Sequence, residues 1–180
     1  MLKFWQVGFD GVSIRDLGKA MGIGQTSIYA AFGDKASLYY AAIERFESAE
    51  KVLDMSAFQA SPSIDEGIAA TLENAIKRYT SARRPAGCMI LTGRVADKPD
   101  QRKIVLKLRE RRGRQLAAIA QGLSRWVGQG EATYASQYLL ISMMGLSTRA
   151  VDGATAAELR RTIPFIVAGA LAACASHQHE

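Results

Sequence analysis

The feature that most constrains this chain is a succession of helix-start signals, each followed by apolar residues that recur every three or four positions. A capping box places a hydroxyl residue at the helix start and an acidic residue three positions later. Three such pairs occur: Ser13 with Asp16, Ser63 with Glu66, and Thr155 with Glu158. No segment sustains the two-residue alternation that is typical of a strand. We therefore predict an all-α fold.

Glycine, proline and capping residues set the predicted helix bounds. The N-terminal signals predict a helix that ends at position 7 and helices over 13–21, 25–32 and 35–55. The later signals predict helices over 64–84, 87–95, 100–127 and 133–151, and a last helix after Thr155 that Pro164 interrupts near 160–163. These lengths indicate a small N-terminal unit, residues 1–47, followed by a larger helical bundle, residues 48–180.

The positive charge of the chain is unevenly placed. The formal net charge is +6 and the pI is near 9.5, which favours a polyanionic partner. Between positions 1 and 47, however, five basic and five acidic residues cancel. The excess lies between positions 102 and 114, where seven basic residues accompany Glu110. We interpret this basic run as the solvated face of a long amphipathic helix; a second nucleic-acid surface is the alternative.

Composition argues against several other classes of protein. Two cysteines, Cys88 and Cys174, are too few for a disulfide scaffold or a thiolate zinc site. The two histidines, His177 and His179, lie in the last four residues, where loose metal binding is the alternative to a plain tail. The most apolar stretch, 163–175, is shorter than the roughly 20 residues that span a bilayer. We expect a soluble, cytoplasmic protein without enzymatic activity, metal or cofactor.

Two short helices joined by a tight glycine turn have the geometry of a helix-turn-helix. Here they cover 13–21 and 25–32, with Gly22, Ile23 and Gly24 between them. The run from position 8 to 39, GFDGVSIRDLGKAMGIGQTSIYAAFGDKASLY, resembles the DNA-binding module of TetR/AcrR-family transcriptional regulators. The resemblance implies a homodimer that binds a palindromic operator in double-stranded DNA.

The side chains of the second short helix suit the reading of DNA bases. Gln25 can pair with adenine, and Thr26 and Ser27 can hydrogen-bond to either base type or contact a thymine methyl group. The resemblance implies phosphate contacts by Tyr29 and Lys35. The predicted DNA-contact set is Ser13, Arg15, Gly24, Gln25, Thr26, Ser27, Tyr29, Ala31 and Lys35. The predicted core of this unit is Val12, Ile14, Leu17, Ala20, Met21, Ile23, Ile28, Phe32 and Leu38.

The helices after residue 48 form, by the same resemblance, an effector-binding and dimerisation domain. The run 138–146 is apolar almost all round, which suits a dimer interface made by the last two long helices or a helix buried within a monomer. Candidate pocket residues are Met55, Phe58, Tyr79, Cys88, Met89, Trp126 and Met143. We interpret Cys88 as a core residue; an electrophile sensor whose pKa is lowered by a helix start at Gly87 is the alternative.

Taken together, these features predict a homodimeric repressor that a small apolar effector releases from its operator. The first alternative is a helical ligand-binding dimer that has lost DNA binding, because the first helix is shorter than is usual in the family. The second alternative is a helical enzyme, for which the sequence offers no acid–base pair, phosphate loop or metal spacing.

Overall fold

The computed structural model describes residues 1–52, 54–93, 95–96 and 98–175, and within these ranges all regular structure is helical. The predicted all-α fold is therefore confirmed. The N-terminal part contains helices α1 (Leu2–Val7), α2 (Ile14–Met21), α3 (Gln25–Phe32) and α4 (Lys35–Glu50). The remainder contains α5 (Ser56–Ala60), α6 (Ile64–Tyr79), a 3-10 turn (Pro99–Gln101), α7 (Arg102–Leu123), α8 (Gln129–Val151), α9 (Ala156–Arg160) and α10 (Ile163–Ala175).

Helix α8 is the centre of the C-terminal bundle, with α6, α7 and α10 all packed against it. Phe58 of α5 is buried between α6 and α7, where a Cβ on Gly67 would lie 2.9 Å from its ring and one on Gly122 would lie 3.1 Å from it. The Phe58 ring also meets Trp126 edge to face, at 4.9 Å between ring centroids. These contacts hold the short α5 helix between the longer ones.

The helix-start signals are confirmed at two of the three capping boxes. The Ser13 and Thr155 hydroxyls accept the amides of Asp16 and Glu158, and both carboxylates bond back to the cap residue. At the start of α6, Ser63 makes no side-chain capping bond, so the predicted capping box there is wrong. The interruption at Pro164 is confirmed, because α9 ends at Arg160 and α10 begins at Ile163.

Two predicted helix spans are wrong. Helix α4 ends at Glu50, where Lys51 adopts a left-handed conformation (φ 48°), and the separate helix α5 follows. No helix is present over 87–93, within the described part of the predicted span 87–95. The segment instead packs its apolar side chains into the core, and distant side chains bind its backbone. Ser147 Oγ accepts the Cys88 amide at 2.8 Å, and Arg112 donates to the carbonyls of Ile90 and Gly93.

The core of the N-terminal part differs from the prediction at three positions. Ala20, Met21 and Ile23 are exposed, because the chain reverses at Gly22 and leaves the last turn of α2 outside the core. Much of this core is formed by aromatic residues of α1, of the segment that follows it and of α4. The close ring pairs are Phe4 with Tyr39, Phe9 with Tyr39, and Trp5 with Phe46.

The basic run of α7 is only partly a solvated face, and that interpretation is wrong for Arg111 and Arg112. Arg111 is buried and pairs with Glu47 at 2.6 Å and with Glu44 at 3.4 Å. Arg114 also pairs with Glu47, at 2.8 Å. Arg112 is half-buried by the carbonyls that it binds, and burial lowers the pKa of its guanidinium. The part of the run that faces α4 is the part that contains Arg111 and Arg114, which pair with the acidic residues Glu44 and Glu47 of that helix.

We predict that Arg111→Ala lowers the free energy of unfolding by about 2–3 kcal/mol, because it leaves the largely buried Glu47 carboxylate with Arg114 alone. Lys107→Ala is the matched control on the same helix. It breaks the exposed pair with Glu110, which contributes less than about 1 kcal/mol. Urea unfolding followed by circular dichroism measures both, and equal losses would contradict the importance of the buried pair.

Candidate functional site

Helices α2 and α3 are joined by a tight turn that glycine makes possible. Gly22 has a left-handed backbone (φ 69°), and its amide and that of Ile23 donate back to the carbonyl of Gly18. A Cβ on Gly18 would lie 2.8 Å from the Ile23 carbonyl oxygen, so α2 can approach the turn only without a side chain at this position. The two helices therefore form the compact helix-turn-helix that the glycine spacing predicts.

Helix α3 is anchored by one residue and presents the rest. Ile28 is fully buried, and it is the only buried residue of the helix. The predicted base-reading residues Gln25, Thr26 and Ser27 are all exposed, as is Tyr29. Gly24 and Ala31 are exposed on the same element, and Gly24 gives α3 an N-cap without a side-chain hydrogen bond. The first turn of α3 therefore keeps its polar groups open to a partner.

The other predicted contacts, Arg15, Ser13 and Lys35, lie on the elements before and after α3 and differ in how free their polar groups are. Arg15 is exposed on α2, where no ion pair of the described residues includes it. The amide and hydroxyl of Ser13 both donate to the Asp16 carboxylate, so its donors are occupied by the capping box. Lys35 Nζ lies over the Phe9 ring at 4.4 Å from its centroid, and partial burial lowers the pKa of this amine.

All five acidic residues between positions 1 and 47 are engaged by hydrogen bonds or ion pairs. Asp16 completes the capping box of α2 and Asp34 caps α4, and their bonds to Ser13 and Ser37 lower the pKa of both carboxyls. Asp10 accepts the Ala96 amide at 3.0 Å and Gln101 Nε2 at 2.6 Å, which lowers its pKa. Glu44 and Glu47 pair with arginines of α7.

The basic residues of the same stretch are not used in this way. None of the ion pairs within the described residues includes Lys3, Arg15, Lys19, Lys35 or Arg45. Residues 1–47 have no net formal charge, but their acidic side chains are occupied and their basic side chains are free of ion pairs with the described residues. The basic side chains are therefore more available to an anionic partner than the net charge suggests.

Three small cavities meet at Met143 in the bundle. An apolar cavity of about 10 Å³ is lined by Met55, Phe58, Leu139 and their neighbours. A second, also about 10 Å³, lies between Tyr79, Cys88 and the N-terminal helices. A third, about 20 Å³, lies between them along α7. Five of the seven predicted pocket residues line these cavities: Met55, Phe58, Tyr79, Cys88 and Met143. Trp126 instead packs on Phe58, and Met89 is buried nearby.

Four polar or amphipathic residues of the second cavity were not predicted from the sequence: Trp5, Glu50, Arg78 and Gln115. A signal for one of them was present. Ile104, Leu108 and Ile119 of α7 are buried on one stripe, and Gln115 and Arg111 occupy intervening positions of the same stripe. A polar residue on an apolar helix stripe indicates a buried polar partner or a site. Trp5 and Glu50 gave no such signal, because only the fold brings α1 and α4 to the bundle.

Cys88 lies in a buried turn rather than at a helix start. Gly87 has φ 77°, and no helix begins there to lower the pKa of the thiol. Burial instead raises the pKa of Cys88, which keeps the thiol protonated and unreactive. The premise of the electrophile-sensor alternative is therefore wrong.

The outer faces of α8 and α10 carry large exposed apolar side chains. Ile141 of α8 is 68% exposed and Phe165 of α10 is 76% exposed. Tyr138, three positions before Ile141 on α8, is also exposed. No described helix is long and apolar enough to cross a membrane. Within the described residues no cluster of three His, Cys, Asp or Glu could hold a metal ion; His177 and His179 lie outside those residues.

The helix-turn-helix with its exposed α3, carried on a helical bundle, defines a transcriptional regulator of the helix-turn-helix class. Residues 3–42 match the family model described as bacterial regulatory proteins, tetR family. Over these residues, which include the helix-turn-helix, the chain is similar to the TetR family of transcriptional regulators.

Individual relatives agree with this assignment along most of the chain. The HTH-type transcriptional repressors ComR and BdcR of Escherichia coli (strain K12) are 26% and 28% identical to it, each over 88% of this chain and 79% of their own length. Among solved structures, a cysteine mutant of the TetR family transcriptional regulator CifR, complexed with 26-bp double-strand operator DNA, has the same fold. The TM-score is 0.84 at 24% identity, over 92% of this chain and 89% of that one.

We predict that the native Cys88 thiol does not react with a thiol reagent such as DTNB until the protein unfolds, because it is buried and protonated. The measurement is the count of labelled thiols with and without denaturant. Cys88→Ser removes one labelled thiol from the unfolded count and leaves the native count unchanged. Rapid native labelling that Cys88→Ser abolishes would contradict the structure.

Proposed function

We propose that this protein is a homodimeric transcriptional repressor that binds a palindromic operator through α2 and α3 and that a small-molecule effector releases. One observation carries the proposal most directly. Helix α3 buries Ile28 alone and leaves a polar first turn exposed, as a helix that enters the major groove requires. The DNA-binding unit is residues 1–47, and the effector-binding and dimerisation domain is residues 48–180.

The exposed first turn of α3 supplies sequence recognition. Gln25 can donate to N7 and accept from N6 of adenine through its amide. Thr26 and Ser27 are short enough to bring the backbone of α3 close to the base edges, and Gly24 and Ala31 add no bulk. Because all of these residues lie on a rigid helix anchored by Ile28, their geometry does not depend on loop ordering.

Phosphate contacts hold the helix in register. Tyr29 lies in the second half of α3, while Arg15 on α2 and Lys35 at the start of α4 lie on the helices before and after it. Ser13 can join them only if its hydroxyl rotates away from Asp16. Such contacts supply affinity that falls with salt but carries no base preference. The engaged acidic residues of this unit leave these cations available for phosphates.

Relatives support the repressor assignment. ComR and BdcR are named as repressors, and CifR is complexed with operator DNA. The exposed apolar face of α8 and α10 supports a dimer, because a monomer gains nothing from leaving Ile141 and Phe165 in water. A twofold dimer would present two α3 helices to the two halves of a palindrome.

The proposed function is tested by selecting bound fragments from random duplex DNA at about physiological salt. We expect a pseudo-palindrome. Lys35→Ala should weaken binding to all sequences alike and reduce the slope of log K against log salt by about one per protomer. Gln25→Ala should relax base preference at one position of each half-site by about 1–3 kcal/mol and leave the salt slope unchanged.

Lys77→Ala, on the exposed last turn of α6, is the matched control for Lys35→Ala and should change neither quantity. Selection of no specific sequence by the wild-type chain would favour the ligand-binding dimer without DNA binding. An unchanged salt slope in Lys35→Ala would remove that lysine from the phosphate contacts.

We predict that Ile141→Glu converts the dimer to a monomer, because it places a charge in the centre of the apolar α8 and α10 face. Leu106→Glu is the matched control: Leu106 is also an exposed leucine-sized side chain, but it lies on α7. Sedimentation velocity measures the oligomeric state of both variants. A dimer that survives Ile141→Glu and dissociates in Leu106→Glu would place the interface on α7.

A further inference from the structure

A cavity lies where the N-terminal helices meet the bundle, and we call it the junction cavity. It is lined by Trp5 of α1, Glu50 of α4, Arg78 and Tyr79 of α6, Gln115 of α7 and their neighbours. Its volume of about 10 Å³ leaves room for about one water molecule. Residues from both halves of the chain therefore share one partly polar space.

Two hydrogen-bond donors on this cavity have no partner. Trp5 Nε1 and Gln115 Nε2 are both buried, with 8% and 4% of the residue exposed, and neither makes a hydrogen bond in the described structure. A buried donor without an acceptor costs about 1–3 kcal/mol, and native proteins rarely leave one unexplained. Since both groups donate, the missing partner is an acceptor.

The charges around the junction cavity favour an anionic acceptor. The Glu50 carboxylate is paired with Arg84 and so is neutralised. Arg78 is half-buried on the cavity and makes no ion pair or hydrogen bond among the described residues, although its charge helps to lower the pKa of the nearby Asp54 carboxyl. Tyr79 and Cys88 are neutral, because burial raises the pKa of both groups. One guanidinium without an ion pair and two unpartnered donors together suit a carboxylate.

The neighbouring cavities, of about 10 and 20 Å³, mark the direction in which an apolar tail can extend once the side chains that line them move. Met143 lines the junction cavity, the third cavity along α7 and the apolar cavity beside Phe58. A methionine side chain changes rotamer easily, so rotation of Met143 can join the three spaces. Beyond it, the lining of the apolar cavity includes Met55, Phe58 and Leu139.

We propose that the effector is an apolar monocarboxylate, whose carboxylate binds Arg78, Gln115 and Trp5 and whose tail extends past Met143 into the apolar cavity. This rests on the proposed function, because it names the ligand of the effector-binding domain. A ligand larger than the present cavity must displace part of its lining, which includes Trp5 and the end of α4. Trp5 and α4 belong to helices of the DNA-binding unit. A ligand that binds the displaced arrangement of these helices better than the present one therefore shifts the protein toward the displaced arrangement and changes its affinity for DNA.

The probes are octanoate, which has both parts of this ligand, acetate, which lacks the tail, and 1-octanol, which lacks the carboxylate. Trp126→Phe leaves Trp5 as the single tryptophan, so its fluorescence reports on the junction cavity directly. We expect octanoate to change Trp5 emission, and acetate and 1-octanol to bind at least about tenfold more weakly. Saturating octanoate should lower affinity for the selected operator by about fivefold or more.

Arg78→Met and Gln115→Leu should each weaken octanoate binding by about tenfold, since each removes a hydrogen bond to a charged group. Arg83→Met is the matched control, because Arg83 is exposed in the segment after α6 and lines none of the cavities that meet at Met143. Circular dichroism shows whether each variant is folded, and if Arg78→Met is not, Gln115→Leu alone carries the test.

Equal affinity for octanoate and 1-octanol would overturn the carboxylate proposal, as would unchanged octanoate binding in both variants. A protein that selects an operator but binds no octanoate overturns this proposal and leaves the proposed function standing. A protein that binds octanoate as expected but selects no operator supports the carboxylate site and overturns the proposed function.

Discussion

The ion-paired contact of Glu47 with Arg111 and Arg114 is the interaction on which the arrangement of the two halves depends. It joins the C-terminal half of α4 to the middle of α7 at a largely buried position, where losing one partner is costly. Asp10 makes a second connection, to Ala96 and to Gln101 just before α7, and Glu50 makes a third, to Arg84 in the segment after α6. The orientation of α3 therefore depends on α7 and on the segments that precede α7 and follow α6.

Helix α4 therefore serves both halves. Its N-terminus is capped by Asp34 beside Lys35, and its last turn carries Glu50 on the junction cavity. Its 16 residues span about 24 Å at the usual rise of an α-helix. In the proposed mechanism, this helix would transmit a displacement at the cavity to the end that carries Lys35. The ion pairs with α7 lie between these two ends, so a ligand that acts as proposed would work against them.

Electrostatics in this chain depend on which charges are engaged rather than on their sum. The five acidic residues of the N-terminal part serve as caps or as links to the bundle, and the basic run of α7 supplies the partners of two of them. A sum over the sequence counts these acids against DNA binding, whereas the structure directs them to backbone amides and to α7. The cations around α3 are what remains at the surface.

The sequence alone determined the helix-turn-helix and those helix termini that depend on neighbours within a few residues. Ser13 caps α2, Gly22 ends it, and Pro164 interrupts the last helix for local steric and hydrogen-bonding reasons. Tertiary structure alone decided the role of Arg111 and the non-helical course of the segment after Gly87. It also decided that Trp5 and Gln115 line the same cavity. Each of these depends on partners dozens of positions away, and the burial that makes a polar group dependent on its partner exists only after the helices have packed.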